Sequence, residues 1–540
     1  MTDFAATRSD PITGAQALAE GALAARVQVV SGYPGSPATA VLDQLARHDL
    51  RHINWAANEK VAAEIVAGAS LGGSRSALVL KSVGLNIALD PLATLSMTGC
   101  RAGMIILLGD DPGATGSQNE QDSRWLARTA ELPVVEPTSV ADSAALVAQA
   151  FAWSESAETP IIVRFTTSLA RATGHPNAPW KLPPSARRFL HKEYRWVSYP
   201  PVAQRRHKAL HRRLRAIADM FEASPYDRAT GSGPLGVVAV GHTATQVSAL
   251  LDNLPVALKG EPPALLSLAS SWPLPAKSLA QWLACRERLL VLEEGGPFVE
   301  EQLAALCHRQ RIDIEILGRH NDTIPSQGAL SAAAISQGLN ALDSRYGTLS
   351  PQAAQPLPID LCPGCLYRPL FASLTQAMNA IGRRRFITVG ETGCVVRGLT
   401  HDETFLDVKL SLGSALGLGL GLAASDSKQR IVALVGDSSL LHSDLNALPQ
   451  LAATQPNMLV IVLQNGSAAL TGGQPYPTGG KHPTDLIAAL YGAMGLSAQI
   501  VDARAADEMD AAIRSGLNDH GLRVLIIEAP CAPHIPEVTQ

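Results

Sequence analysis

Three long stretches of the chain alternate short apolar runs with Ala-, Leu- and Gly-rich segments of helical length. Between Gly14 and Thr167 the apolar runs end in VQVVSGYPGSP, SALVLKSVGLN, GMIILLGDDPG, PVVEP and PIIVRFTTS. Continuous apolar runs closed by Gly, Pro or Asp read as strands buried on both faces, and their alternation with helices predicts a parallel sheet with ligands at the carboxyl ends of its strands. Those ends carry SGYPGSP, KSVGLN and GDDPG. A second alternating stretch runs through GVVAVGHTATQVSALL, ALLSLASSWPLP, RLLVLEEGGPFVEEQLAALC and DIEILGR. A third holds FITVGETGC, a Gly-rich helix from Ser411 to Ala424, IVALVGDSSLLHSDLNAL, MLVIVLQNGSAALTG, LIAALYGAMG and RVLIIEAP. The pattern predicts a multidomain α/β protein. Two doubly wound parallel-sheet domains, 1–185 and 346–540, flank a smaller α/β domain at 233–345.

The pattern breaks at 186–232, read as a basic linker wrapping between domains. Arg187 to Arg215 holds ten Lys and Arg against one acid, Glu193. Such a run is either a nucleotide or phosphate contact or a solvated helix on an acidic neighbour. A polar, Pro-rich join at 345–360 precedes the last domain. Glu293 and Glu294, at a strand end before a helix opening at Pro297, are either catalytic carboxylates or groups that cap the helix and join domains.

Composition narrows the function classes. The 540 residues are 46% hydrophobic, 17% charged and 4% aromatic, with a formal charge of -4. A net acidic, aromatic-poor chain has neither the basic surface nor the stacking platforms of a general nucleic-acid binder, and no global attraction to an anionic membrane. No apolar stretch reaches about 18 residues, and the amino-terminus lacks the charged start and apolar core of a leader, so the expected location is cytoplasmic. Seven cysteines, odd in number and scattered, argue for reduced thiols rather than a disulfide framework.

The strongest chemical signal is Asp437 at the end of one buried strand and Asn465 at the end of the next, 28 residues on. One βαβ crossover sets both side chains side by side as hard oxygen ligands for Mg²⁺ and its diphosphate. Gly436 lets the backbone approach, and the helix after Ser438 turns N–H groups toward a phosphate. A GD followed after about 25 to 30 residues by Asn is the thiamine diphosphate (ThDP) motif. Such chemistry also needs a desolvated carboxylate beside the aminopyrimidine ring, to favour the tautomer that removes the thiazolium C2 proton. Glu59 and Glu64, in INWAANEKVAAEIVAGAS, are the candidates; an acid at a helix start also has a purely stabilising explanation.

With those residues in place, the chain resembles the large (alpha) subunits of indolepyruvate:ferredoxin oxidoreductase, within the 2-oxoacid:ferredoxin oxidoreductases. SGYPGSP, NEKVAAEIVAGAS, KSVGLN, DPLATLSMTG, DDPGATGSQNEQDSR, VLEEGGPFVEEQ, CPGC with Arg368, GETGC, GDSSLLHS and ALTGGQPYP look like that family's blocks, in its order. The resemblance implies a pyrimidine-binding domain at 1–185, a transketolase C-terminal-like domain at 233–345 and a diphosphate-binding domain at 346–540, with ThDP between the outer two at a contact of a dimer. It makes Glu59 the ring-activating acid and Asp437, Asn465 and the Ser467 carbonyl the Mg²⁺ ligands. It places Gly393, Gly436, Ser438, Leu470 and Thr471 against the diphosphate, and Tyr33, Pro34, Gly35, Ser82 and Asn86 in the reaction chamber. Asn119, Gln121, Asp122, Ser123 and Arg124 either order a loop or bind substrate. The implied reaction turns a 2-oxo acid, an aryl pyruvate, into acyl-CoA and CO2, with CoA as co-substrate, a smaller partner subunit, and ferredoxin, flavin or another acceptor.

The chain departs from the family in three places. It is expected to lack the C-terminal module with cysteine runs for two [4Fe-4S] clusters that the family usually carries. Its one CxxC, Cys362 and Cys365, has only Cys394 as an uncertain third, with Cys531 alone in sequence, so no Fe-S cluster is expected. Ser82 and Tyr367 stand where the family usually has His, and neither titrates near neutral pH as imidazole does. His442 is either a compensating proton donor or a packed side chain. The competing readings are a non-oxidative ThDP decarboxylase or carboligase, and a cofactor-binding regulatory protein.

Overall fold

The computed structural model describes residues 10–177, 181–192, 194–253, 262–346, 360–400, 405–425 and 428–531. The first nine residues, Glu193, most of the join at 345–360 and the tail after Cys531 lie outside them. The described chain forms two units. One runs from Asp10 to Tyr346 without Trp55–Asn58, and the other from Asp360 to Cys531 with those four residues added.

The first unit holds a seven-stranded sheet in the spatial order Ser270–Trp272, Val134–Val135, Ile161–Thr166, Met104–Asp110, Ser76–Lys81, Val29–Gly32, His52–Trp55. Its central strands are parallel and buried along their length, as their continuous Val, Ile and Leu runs require. Helices Gly14–Ala24, Glu59–Leu71, Ser82–Thr98 and Val140–Ala157 connect and cover them. The helix Gly14–Ala24 starts with a capping box, Thr13 and Gln16 satisfying each other's amide groups. Ser270–Trp272 belongs by sequence to the second α/β stretch, yet it pairs antiparallel with Val134–Val135 and closes this edge. A five-stranded sheet follows, in the order Glu315–Leu317, Arg288–Leu292, Leu235–Val240, Ala264–Leu268, Arg228–Thr230. Arg228–Thr230 lies in the stretch read as linker.

The stretch at 186–232 is more than a connector, since Pro200–Glu222 is a single helix of 23 residues. Pro at its start supplies the φ a first turn needs, and Leu210, Ile217 and Phe221 bury one stripe while Arg205, Lys208, Arg212 and Arg215 face out. Of the two readings of its charge, the helix on an acidic neighbour holds. Arg195, just before it, pairs with Glu158, and His207 and His211 meet Glu131. Arg213 donates to the carbonyls of Ser96 and Met97 at the end of the helix Ser82–Thr98.

The second unit is a six-stranded parallel sheet in the order Val408–Lys409, Phe386–Gly390, Arg430–Gly436, Met458–Gln464, Arg523–Glu528, Ala498–Asp502. Its two faces carry separate cores. Tyr367, Leu370, Phe371 and Leu374 pack with Ile513 and Leu517 on one face, and Leu416, Leu440, Leu451 and Tyr491 pack on the other. Among the described residues no helix is long and apolar enough to cross a membrane.

Candidate functional site

Within the first unit, the carboxyl ends of neighbouring strands Val29–Gly32 and Ser76–Lys81 bring SGYPGSP and KSVGLN together. The Lys81 side chain lies over Gly35, where an added Cβ would stand 2.4 Å from its Cδ. Tyr33, Pro34, Gly35 and Ser82 are all buried there. Glu59 opens the helix Glu59–Leu71 with its side chain inside, 5% exposed. Its carboxylate rests against Gly84 in the first turn of the next helix: a Cβ on Gly84 would stand 2.7 Å from Oε1 and 2.9 Å from Cγ of Glu59. The glycine of KSVGLN is thus the seat of the acid. Glu64 is exposed and pairs with Lys60, which removes it from the choice.

Asn86 is exposed, and its amide exchanges hydrogen bonds with Gln121 at 3.1 and 2.6 Å. The rest of that polar block divides. Asp122, Ser123 and Arg124 enter a buried junction with the second sheet, so for these three the ordering role holds. Arg124 pairs with Asp122 at 2.6 Å and Glu293 at 2.8 Å and donates to the Glu294 carbonyl, while Arg164 meets Asp110 at 2.7 Å and also Glu136. Glu293 accepts from the Val299 and Glu300 N–H groups at 3.0 Å, capping the helix Phe298–Gln310. Burial pushes its carboxyl up to about 6 against the pull of Arg124. Capping and joining, rather than catalysis, is what Glu293 does.

Within the second unit, Asp437 follows the strand Arg430–Gly436 and is 2% exposed. Its Oδ2 accepts from Asn465 N–H at 2.9 Å, Gly466 N–H at 2.7 Å and the Tyr476 hydroxyl at 2.9 Å, and Oδ1 from Ser438 N–H at 2.7 Å. Burial raises its carboxyl to about 6, against the pull of those donors. Oδ1 thus keeps acceptor capacity for a cation. The Asn465 amide oxygen accepts from Ser467 N–H at 2.9 Å and its hydroxyl at 3.3 Å. The next turn, Ala469–Thr471, contains Leu470 and Thr471, and is tied by the Thr471 hydroxyl donating to Gln474 at 2.7 Å.

Sequence reasoning passed over Glu391, the acid of GETGC. It is buried, and its two oxygens accept from Gly436 N–H at 2.6 Å and Gly413 N–H at 2.7 Å, which fixes the backbone entering Asp437. Burial, with Asp444 nearby, holds its carboxyl well above the ordinary range. A Glu closing a strand before a glycine turn was the available signal. Next to these groups there is room: a Cβ on Gly393 would meet nothing within 4 Å, and one on Gly436 nothing nearer than 3.4 Å. Ser438 is half-buried. Tyr367 is buried beside Asp437 and Asn465, with its hydroxyl short of hydrogen-bond geometry to any group. His442 is buried, Nδ1 at 2.7 Å from the Ser443 hydroxyl, as a packed side chain would be.

The cysteines also converge. Burial pushes the Cys394 thiol up to about 12, reinforced by Cys365 and Cys531, and Cys531 is raised by burial and by Cys362 and Cys365. Cys531, isolated in sequence, is therefore within electrostatic reach of Cys362, Cys365 and Cys394, and of Asp437. No three of these thiols lie within 4.8 Å of one another. A single tetrahedral ion with metal–sulfur bonds near 2.3 Å needs sulfurs about 3.8 Å apart, whereas a cubane cluster spreads its four thiolates over four irons.

Two family profiles match the chain: "Pyruvate flavodoxin/ferredoxin oxidoreductase, thiamine diP-bdg" over residues 20–207 and "Thiamine pyrophosphate enzyme, C-terminal TPP binding domain" over 391–527. The indolepyruvate oxidoreductase subunit IorA of Methanothermobacter thermautotrophicus is 30% identical over 540 residues, 96% of this chain and 86% of the relative. Its counterpart in Pyrococcus abyssi is 30% identical over 568 residues, 96% of this chain and 85% of the relative. A solved 2-oxoglutarate:ferredoxin oxidoreductase from Magnetococcus marinus overlaps 62% of this chain and 65% of its own, at 18% identity and a TM-score of 0.49.

Proposed function

The chain belongs to the large-subunit family of the indolepyruvate oxidoreductases, which are thiamine-diphosphate-dependent 2-oxoacid oxidoreductases, and from that membership we propose that it catalyses oxidative decarboxylation of an aryl pyruvate. The 2-oxo acid and CoA yield acyl-CoA, CO2, a proton and two electrons, and a smaller partner subunit completes the enzyme. Bound thiamine diphosphate supplies the carbon nucleophile and the electron sink. Glu59, seated on Gly84, holds the proton that activates the ring. Tyr33 and Ser82 donate hydrogen bonds to the substrate, and Asn86, fixed by Gln121, bounds the chamber with Pro34 and Gly35.

The residues of the second unit, taken by themselves, fit a diphosphate and its cation. Asp437 and Asn465 present oxygens at adjacent strand ends, the Tyr367 hydroxyl is buried beside Asn465 short of full hydrogen-bond geometry, and the space beside Gly393 and Gly436 is open. Asp437, Asn465 and the Ser467 carbonyl would hold Mg²⁺, and Gly393, Gly436, Ser438, Leu470 and Thr471 would border the diphosphate.

The observation that carries the oxidative reading is the likeness over nearly the whole chain to the indolepyruvate oxidoreductase subunits, and Cys362, Cys365, Cys394 and Cys531 lie within electrostatic reach of one another. Against the sequence expectation of no Fe-S cluster, these four thiols offer the ligand number of one [4Fe-4S] cluster, which would store electrons singly on their way to ferredoxin or a flavin. The test is anaerobic reduction of a viologen dye by the chain with its small subunit, ThDP, Mg²⁺, CoA and indolepyruvate or phenylpyruvate, with iron, acid-labile sulfide and aldehyde assayed alongside. Dye reduction with acyl-CoA supports the proposal. Aldehyde without dye reduction identifies a non-oxidative decarboxylase instead.

A further inference from the structure

The reaction leaves Glu131, His207 and His211 unused. Nε2 of His207 lies 2.7 Å from Oε2 of Glu131, and Nε2 of His211 lies 2.8 Å from Oε1. The three ligand atoms fall within 4.8 Å of one another, and among the described residues no other group of three His, Cys, Asp or Glu does so. The arrangement is built from two held elements. His207 and His211 are one helical turn apart on one face of Pro200–Glu222, ring centroids 4.4 Å apart, and Leu210 between them anchors that face in the core. Glu131 ends the turn after the helix Ser123–Thr129 at φ 55°, where its N–H donates to the Arg128 carbonyl at 3.1 Å.

The choice of partners is informative. The helix offers Arg205, Arg206, Lys208 and Arg212 around the two histidines, any of which would satisfy a carboxylate by charge. Glu131 faces imidazoles instead, and both rings turn the same nitrogen toward it. Two imidazole nitrogens and one carboxylate oxygen form a donor set for Zn²⁺ and the neighbouring first-row divalent ions, whereas Mg²⁺ prefers oxygen and water. The histidine side chains are 50% and 49% exposed, which leaves at least one coordination position to solvent.

We propose that Glu131, His207 and His211 form a site for a divalent transition metal of the Zn²⁺ class, which clips the basic helix to the end of the helix Ser123–Thr129. The ion joins two elements 76 residues apart in sequence, so its binding energy adds to the stability of the folded form.

The test uses the full chain, stripped of transition metal by a chelator and held with ThDP and Mg²⁺. It is titrated with Co²⁺ for its visible spectrum and with Zn²⁺ against a chromophoric chelator, in the wild type, the double variant His207→Asn/His211→Asn, and Glu131→Gln. The expected result is a Co²⁺ band without thiolate charge transfer and a Zn²⁺-dependent rise in melting temperature. Affinity falls at least 100-fold in the double variant and about 10-fold in Glu131→Gln. All three side chains are solvent-accessible, and circular dichroism without metal checks that the variants fold. Should the double variant not fold, Glu131→Gln and a Cys362→Ser/Cys365→Ser control, which keeps the band, decide the matter. Unchanged affinity in the histidine variants, a spectrum dominated by sulfur ligation, or no binding at millimolar Co²⁺ overturns the proposal.

Discussion

A glycine decides where the proposed ring-activating acid can lie. Gly84→Ala would put a methyl group 2.7 Å from Oε1 of Glu59, and since the other neighbours are that same side chain, the acid is what must move. We expect exchange of the cofactor's C2 proton, followed by NMR after acid quench, to slow about 10²-fold or more, the scale of a misplaced proton-transfer group, with only a small change in melting temperature. Tyr367 gives a second prediction, of opposite signs. Its buried hydroxyl faces Asn465 short of full hydrogen-bond geometry, which costs up to about 1–3 kcal/mol in the unliganded chain. Tyr367→Phe should therefore raise the melting temperature without cofactor yet weaken ThDP binding, both readable by calorimetry. Residue patterns alone pointed to Asp437 and Asn465 and to Glu59 or Glu64, with the family resemblance choosing Glu59, because a carboxylate at a helix start and oxygens at two strand ends have short-range signatures. Glu391 and the hydroxyl of Tyr476 escaped, because their roles depend on which backbone amide or carboxylate the fold sets against them.

The basic helix shows what charge counting can and cannot supply. Ten cations and one acid implied either a ligand or an acidic neighbour, and the neighbour is there in Glu158 and Glu131. Many of the arginines, however, end on main-chain oxygens: Arg195 on Thr98, Arg206 on Tyr194, Arg213 on Ser96 and Met97. Carbonyl acceptors exist at every residue, so no composition reveals them. Arg213→Ala should leave the last carbonyls of the helix Ser82–Thr98 unpaired and destabilise the chain by about 1–3 kcal/mol, measured by urea unfolding. The gathering of Cys531 with the CxxC was hidden for a related reason. Cys531 follows the strand Arg523–Glu528, whose pairing with Met458–Gln464 no local pattern specifies.

Across the first unit, Asp110, Asp122, Glu136 and Glu293 converge on Arg124 and Arg164 with little access to water. Removing one member of such a set leaves buried charge uncompensated, and Arg164→Ala should cost about 3–5 kcal/mol in thermal or denaturant unfolding. The junction also sets an acid limit. Burial alone would raise Asp122, but Arg124 and Arg164 hold it down to about 2 from 3.8. A depressed carboxylate stabilises the fold above its unfolded value, and that contribution is lost as pH falls from about 4 through about 2. Melting curves across that window should fall more steeply for the wild type than for Asp122→Asn, which starts lower at neutral pH. The parallel order of the sheets followed from the sequence pattern, but the antiparallel edge strand Ser270–Trp272 did not, since its three residues read as the tail of another run. That strand carries a consequence for how the protein is made. Val134 and Val135 leave the ribosome about 135 residues before their partner, some 7–27 s at ordinary elongation rates, so the nascent sheet waits with an open edge. A cell must shield that edge during synthesis, and any truncated product ending before Ser270 keeps it bare for aggregation.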